Sequence, residues 1–218
     1  MYFNTAQSAC LDSLAQQIKL HTGTRLTTVV VDRSGSYPEI PWKAFALAVC
    51  AHAVIHLLQT MLEQDRILMW SVQRTLGFVI GSSAGIALLT QYWQPFGTIF
   101  LDRSDAQETV RRHAESLFVK HEIFNTPARN GIMMLVSLFE CQVVIVPDSG
   151  IAEHLDQHAR KQVIDAMFPL LRRQDYFGAV EKGLQIMEII LPANGSESAP
   201  QDDVVLPEAF IQLKIADI

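Results

Sequence analysis

Two long stretches of this chain carry no charged residue: Ala44 to Leu62, AFALAVCAHAVIHLLQTML, and Thr75 to Leu101, TLGFVIGSSAGIALLTQYWQPFGTIFL. At 1.5 Å of rise per residue, about 20 such residues cross the hydrocarbon core of a bilayer. The segment between them, EQDRILMWSVQR, sets Glu63 and Asp65 against Arg66 and Arg74 and is short enough for a tight helical hairpin. The three tryptophans fall at the edges of these runs: Trp42 before the first, Trp70 in the connection, and Trp93 beside Tyr92 toward the end of the second. Indole favours the headgroup layer, where its ring is sheltered and its N–H stays wet. Two buried core helices of a soluble protein would explain the same apolarity, and the histidines and glutamines inside the runs keep that alternative open.

Within the second run, Gly77 to Gly85 reads GFVIGSSAG and supports two incompatible functions. Gly81-Ser82-Ser83-Ala84-Gly85 fits the G-x-S-x-G nucleophile elbow, with Ser83 as the nucleophile and Asp148 and His154 following in the required order. Gly77, Gly81 and Gly85 also stand four apart, the small-residue face through which membrane helices approach, either the first helix of the hairpin or a second copy of the chain. No oxyanion-hole loop such as H-G precedes the serine, so the helix-packing reading is preferred and the serine hydrolase is the second alternative. His52 and His56 share a helix face as two zinc ligands would, but the glutamate of H-E-x-x-H and a third ligand are missing, and neutral imidazoles bonded inside a helix pair explain them equally.

A formal net charge of -6 and a pI near 5.6, with no run of Lys and Arg interleaved with aromatics, exclude a nucleic-acid binder, which needs a basic face to displace phosphate counterions. Cys10, Cys50 and Cys141 are odd in number and lack metal-ligand spacing, so free thiols in a reducing compartment are expected. No basic stretch followed by an apolar run opens the sequence, and the N-terminal segment is expected to remain cytoplasmic.

The remainder reads as a water-soluble α/β domain split by the hairpin. Ala6, Cys10, Leu14 and Ile18 make a helical stripe closed by Gly23, and TRLTTVVVD, Thr24 to Asp32, is a β-branched strand. Asp105 is placed to cap a helix with Val110, Ala114, Leu117 and Phe118 on one side and Arg111, Arg112 and Glu115 in water. GIMMLVSL and QVVIVP are two strands joined through Phe139, Glu140 and Cys141, apolar enough to be covered on both faces. Helices over roughly Ala152 to Arg172 and Tyr176 to Leu191 follow, Pro169 interrupting or bounding the first, then a polar tail, PANGSESAPQDD, and a final apolar segment, VVLPEAFIQLKI, whose docking place is not specified. The divisions are thus 1–40, first part of the soluble domain; 41–101, transmembrane hairpin; 102–191, second part; and 192–218, tail with a docking segment. Both soluble parts must lie on one side of the bilayer to share a sheet, which two spans allow.

Arg129 to Ile151, RNGIMMLVSLFECQVVIVPDSGI, resembles the central signature of the TPM-domain family, which includes thylakoid-lumen photosystem-repair proteins and bacterial membrane proteins, some described as phosphatases. Asn130-Gly131 opens the first strand, Glu140 to Gln142 makes the turn, and Asp148 to Gly150 follows the second. AESLFVKHEIFNTPARNG and FPLLRRQDYFGAVEKGLQIMEII are similar to the family's preceding helix and closing helix pair, and a bacterial subgroup carries a hairpin inserted as here. The resemblance implies a TPM-like α/β sandwich with a small central sheet. For some members it implies binding of Ca²⁺ or Mg²⁺ by acidic loops and weak phosphatase activity. Carried over by position, Asn130 and Glu140 are binding residues, and Glu140, Asp148 and Asp175 candidate metal ligands. Where many members begin the first strand S-A-E-I, this chain reads Gly23-Thr24-Arg25-Leu26, a cation in place of a carboxylate. A solvated hairpin turn for Glu140, and helix or turn capping for Asp148 and Asp175, are therefore preferred over metal binding.

The expected function is a membrane-anchored binding or assembly factor for a membrane protein complex with little or no catalysis, the alternative being a metal-dependent phosphatase. Its partners are a lipid bilayer and a membrane protein, with self-association through the glycine face. Arg25, Arg33 and Lys43 before the hairpin and Arg103, Arg111 and Arg112 after it outnumber Arg66 and Arg74 in the connection. That bias expects a multi-pass protein of the bacterial inner membrane with its soluble domain on the cytoplasmic side.

Overall fold

The computed structural model describes residues 3–62, 72–192 and 210–213. The chain divides into two compact units, Met1–Gly35 with Ser104–Ile218, and Ser36–Arg103.

The first unit begins with helix α1 (Thr5–Thr22), capped by Asn4, whose Oδ1 accepts from Thr5 N while its own N–H donates to Gln7 Oε1 at 2.9 Å. Gly23, left-handed at φ 65°, ends it. The face α1 buries is Leu11, Ala15, Ile18 and Thr22; Ala6 and Cys10, expected on the stripe, are exposed. The i, i+4 stripe begins on the small residues Ala6 and Cys10, whereas burial runs from the bulkier Leu11 to Ile18, two turns apart.

Strand β1 (Arg25–Val31) pairs in parallel with β2 (Gly131–Ser137), from Arg25 opposite Gly131 to Val31 opposite Ser137, and β2 pairs antiparallel with β3 (Gln142–Pro147). A last strand, β4 (Phe210–Leu213), adds in parallel to the other side of β1, giving the order β3-β2-β1-β4. The docking place of the C-terminal apolar segment is therefore the free edge of β1; residues 193–209 of the tail lie outside the described residues.

Every residue of β2 is buried, because alternate side chains enter two different cores. Ile132, Met134 and Val136 join Leu26 and Val30 against α1 and two later helices, α6 (Gln157–Arg172) and α7 (Tyr176–Ile190), which supply Val163, Met167, Leu184 and Met187. Met133 and Leu135 join Val29 and Val31 against Val110, Ala114 and Leu117 of α5 (Arg103–Lys120). Burial of each large side chain contributes about 1.5–3 kcal/mol, so the central strand is where this fold is anchored. The architecture of this unit is an α/β sandwich: one small sheet, helices on both faces.

Several boundaries differ from those expected. Asp105 lies inside the first turn of α5, where its charge faces the positive end of the helix, rather than ahead of it. The sixth helix starts at Gln157, not near Ala152, because Asp156 Oδ1 accepts from Ala159 N at 2.7 Å and caps it there. It continues through Pro169 to Arg172.

The second unit contains α2 (Glu39–Leu62), α3 (Val72–Tyr92), a single turn α4 (Gln94–Gly97) and a 3-10 turn, Thr98–Phe100. Glu39–Gln59 and Arg74–Tyr92 are long and apolar enough to cross a membrane, and only 17% and 11% of their most apolar windows are buried. Leu47, Val54, Leu58, Phe78, Ile80 and Leu88 all stand more than half exposed. A soluble core helix has the opposite distribution. Trp70 and the charged connection, Glu63 to Arg66, lie outside the described residues.

Candidate functional site

Ser83 is not on a nucleophile elbow. Gly77 to Gly85 lie within the unbroken helix α3, without the strand and sharp turn that would present the hydroxyl, and Ser83 is fully buried. Helical continuity wins here because no residue of the segment leaves the i to i-4 ladder. The neighbouring Ser82 joins the two helices. His52 Nδ1 lies 2.7 Å from the Ala48 carbonyl and its Nε2 lies 3.2 Å from Ser82 Oγ, whose hydroxyl donates to the Phe78 carbonyl at 2.7 Å. That is the imidazole-in-a-helix-pair arrangement, not a zinc site. Gly77, Gly81 and Gly85 lie on a different, exposed face of α3, where an added Cβ would meet nothing within 4 Å, so α3 does not pack on α2 through them.

The residues singled out at the loops fall into separate groups. At the end of the sheet where β1 and β2 finish, Glu140 is buried at 6% exposure rather than solvated in its turn. Its Oε1 accepts from the backbone N–H of Ser34 at 2.9 Å, and its Oε2 accepts a short hydrogen bond from Ser137 Oγ. Leu138 N and Phe139 N donate to the carbonyls of Val31 and Asp32, and the Arg33 guanidinium lies 3.9 Å above the Phe139 ring. Glu140 therefore ties the β2–β3 turn to the segment leaving β1. Hydrogen bonds to an ionised acceptor contribute about 1.5–3 kcal/mol each, so this carboxylate is a structural tie of some weight. Sequence gives no sign of it, since Ser34 and Glu140 are 106 positions apart.

His113 of α5 and Cys141 sit near the same end. Burial pushes the His113 imidazole below its ordinary 6.5, against the upward pull of Glu140 and with a smaller downward push from Lys120. Neither of its ring nitrogens has a hydrogen-bond partner among the described residues. Burial likewise raises the Cys141 thiol, with Arg172 opposing, which disfavours the thiolate a nucleophile would need. Tyr176 is raised by burial first and by Cys141 second, which brings the start of α7 toward this end. Asp175, the residue before it, is the N-cap of α7 and accepts from Gly178 N at 3.0 Å through Oδ1.

At the opposite end, Asn130 Nδ2 donates to the Gly23 carbonyl at 2.7 Å, joining the start of β2 to the end of α1. Asp148, 5% exposed, accepts from Ser149 N at 2.7 Å, while its own N–H donates to the Gly131 carbonyl. Its Oδ2 lies 3.3 Å from Arg129 Nε, an ion-pair approach rather than a hydrogen bond, since this buried oxygen has no hydrogen-bond partner among the described residues. Gly131 and Gly150 are required by close approach: a Cβ on either would run into the carbonyl of Ile123 or of Ala128. This is the physical content of the N-G and D-S-G elements. Arg25, opposite Gly131, is half-buried beside Glu122.

Strand β3 separates Glu140 from Asp148. Six strand residues at about 3.3 Å each put them roughly 20 Å apart, against metal–oxygen distances of about 2.5 Å, so the two cannot share a cation. Among the described residues no group of three or more His, Cys, Asp or Glu is placed to hold a metal ion.

Residues 98–188, less than half of the chain, match the family model for the TPM domain. No curated protein matches the sequence. A similar solved structure is the NMR structure of the BA42 protein from the psychrophilic bacterium Bizionia argentinensis, 12% identical, with a TM-score of 0.49 over 97% of this chain and 96% of that one. The stretch that is similar to the TPM domain runs from α5 to α7, with β2, β3 and their two glycine-dependent turns at its centre.

Proposed function

We propose that this protein is a membrane-anchored TPM domain that serves as a binding or assembly factor for a membrane protein complex, held by a two-helix span. The observation that carries the anchor is the exposure of α2 and α3, whose leucine, valine, isoleucine and phenylalanine side chains face outward along helices of spanning length. The surplus of Arg and Lys on the segments flanking the hairpin supports a bacterial inner-membrane protein with its soluble domain on the cytoplasmic side. Against catalysis by the acidic residues stands their use elsewhere: Glu140 ties a turn, Asp175 caps a helix, and Asp148 holds a turn beside Arg129.

The phosphatase alternative, with Ca²⁺ or Mg²⁺ held by Glu140, Asp148 and Asp175, is tested by phosphate release from the purified chain with and without each cation. The assembly reading expects turnover at background in all conditions. Metal-dependent turnover abolished by Asp148→Ala overturns it. Protease access to a tag in the 63–71 connection, from the periplasmic side of intact spheroplasts, tests the orientation; a protected connection with accessible termini reverses it.

A further inference from the structure

At one end of the hairpin the chain builds an aromatic collar from the start of α2, the end of α3 and the two short turns that follow. Trp42 precedes the apolar part of α2 and is 71% exposed, with Phe45 edge-on to it at 6.2 Å. At the end of α3, Tyr92 is 86% and Trp93 57% exposed. The chain then does not run on into water. It coils through α4 and the 3-10 turn, which contacts α2, and lines up Trp93, Phe96 and Phe100 in a ladder of rings at 6.4 and 5.7 Å. Ile99 projects from this turn at 72% exposure. Between Arg74 and Asp102 there is no charge, so the turn remains as apolar as the helix before it.

From these features we infer that the collar is a foot lying in the headgroup layer of the leaflet where the hairpin enters, setting its depth. The inference rests on the spanning hairpin proposed above. Three features select lipid over a protein partner. The collar is continuous with the apolar outer surface of α2 and α3. Trp42 and Tyr92 each stand about 30 Å along their helices from the connection, one hydrocarbon thickness, and so reach the depth at which water begins. The exposed groups are indoles and a phenol, rings with one polar atom, beside an apolar Ile99; Lys43 adjoins Trp42 on its apolar side, and outward of the rings come Glu39 at the start of α2 and Asp102 and Arg103 after the turn. That ordering along the chain, apolar then aromatic then charged, matches the polarity gradient of a bilayer interface.

The test uses the full chain in phosphatidylcholine vesicles. Pairs of Trp42→Phe, Trp70→Phe and Trp93→Phe leave one native indole in each variant, and Ile80→Trp is made with all three replaced. Lipids brominated near the glycerol or near the chain end report depth by quenching. The collar predicts that Trp42 and Trp93 are quenched roughly two-fold or more strongly by the shallow bromines than by the deep ones, and that Ile99→Asp lessens the shallow quenching of Trp93. Deep bromines quenching Trp93 the more, or neither quenching it while the Ile80→Trp indole is quenched deeply, overturns the foot and leaves the hairpin standing. If the Ile80→Trp indole escapes quenching altogether, the hairpin is not in lipid and both ideas fall.

Discussion

Replacing Glu140 by alanine removes the acceptor of the Ser34 N–H at 2.9 Å and of the Ser137 hydroxyl, both in a position only 6% exposed. At about 1.5–3 kcal/mol for each bond to an ionised group, the sum would reach 3–6 kcal/mol. Ser137 can turn its hydroxyl elsewhere and water can enter the space left, so about 3 kcal/mol is the expected net loss. Because the tie joins the exit of β1 to the end of β2, the loss is read where those strands open. Hydrogen exchange of the detergent-solubilised chain, followed in peptides covering β1 and β2, is expected to quicken roughly a hundred-fold, at 1.4 kcal/mol per factor of ten. Glu140→Gln keeps the shape and an acceptor for Ser34, and its amide can donate to Ser137, so the loss is expected to stay below about 1.5 kcal/mol. Exchange unchanged within a factor of about two in Glu140→Ala would refute the reasoning and return Glu140 to an ordinary solvated turn.

Gly131→Ala drives a Cβ into the Ile123 carbonyl and is expected to cost roughly 3 kcal/mol in thermal or chemical unfolding, whereas Gly85→Ala meets open space and should change the unfolding of the soluble domain by less than about 0.5 kcal/mol. Equal effects would contradict the close-approach argument. Burial lowers both His113 and His121 in the folded state, so the unfolded chain binds the more protons below 6.5. Stability is then full above 6.5 and is lost as pH falls through the lower folded values; the melting temperature should drop between about pH 7 and pH 5, less so in His113→Asn, and a rise on acidification would refute the assignment. Ser83→Ala removes a buried hydroxyl that has no hydrogen-bond partner among the described residues and is expected to leave hairpin stability unchanged or raised by up to about 1 kcal/mol, with no fluorophosphonate labelling of Ser83 in the parent chain.

The parts of this fold legible in the sequence were those with an unambiguous period. The charge-free runs became α2 and α3, the apolar β2 is covered on both faces, and the TPM signature marked the strands and turns around Gly131 and Gly150. Where two periods or two motifs compete, sequence misled or stayed silent. G-x-S-x-G around Ser83 is also a helix with small residues, and only the continuous ladder of α3 decides between them. The i, i+4 stripe on α1 passes through Ala6 and Cys10, small residues that carry little burial energy, whereas the buried face passes through Leu11. The candidate carboxylates share only their positions in loops, and a strand's length is what sets Glu140 and Asp148 apart. The Ser34–Glu140 tie depends on a pairing across the inserted hairpin that no local pattern encodes.

The central claim is that α2 and α3 lie in lipid. Membranes from cells expressing the full chain, washed with alkaline carbonate and then with detergent, test it directly. The account predicts that the chain stays in the pellet through the carbonate wash and is released only by detergent. Release into the carbonate supernatant, as a dispersed species without surfactant, would contradict it.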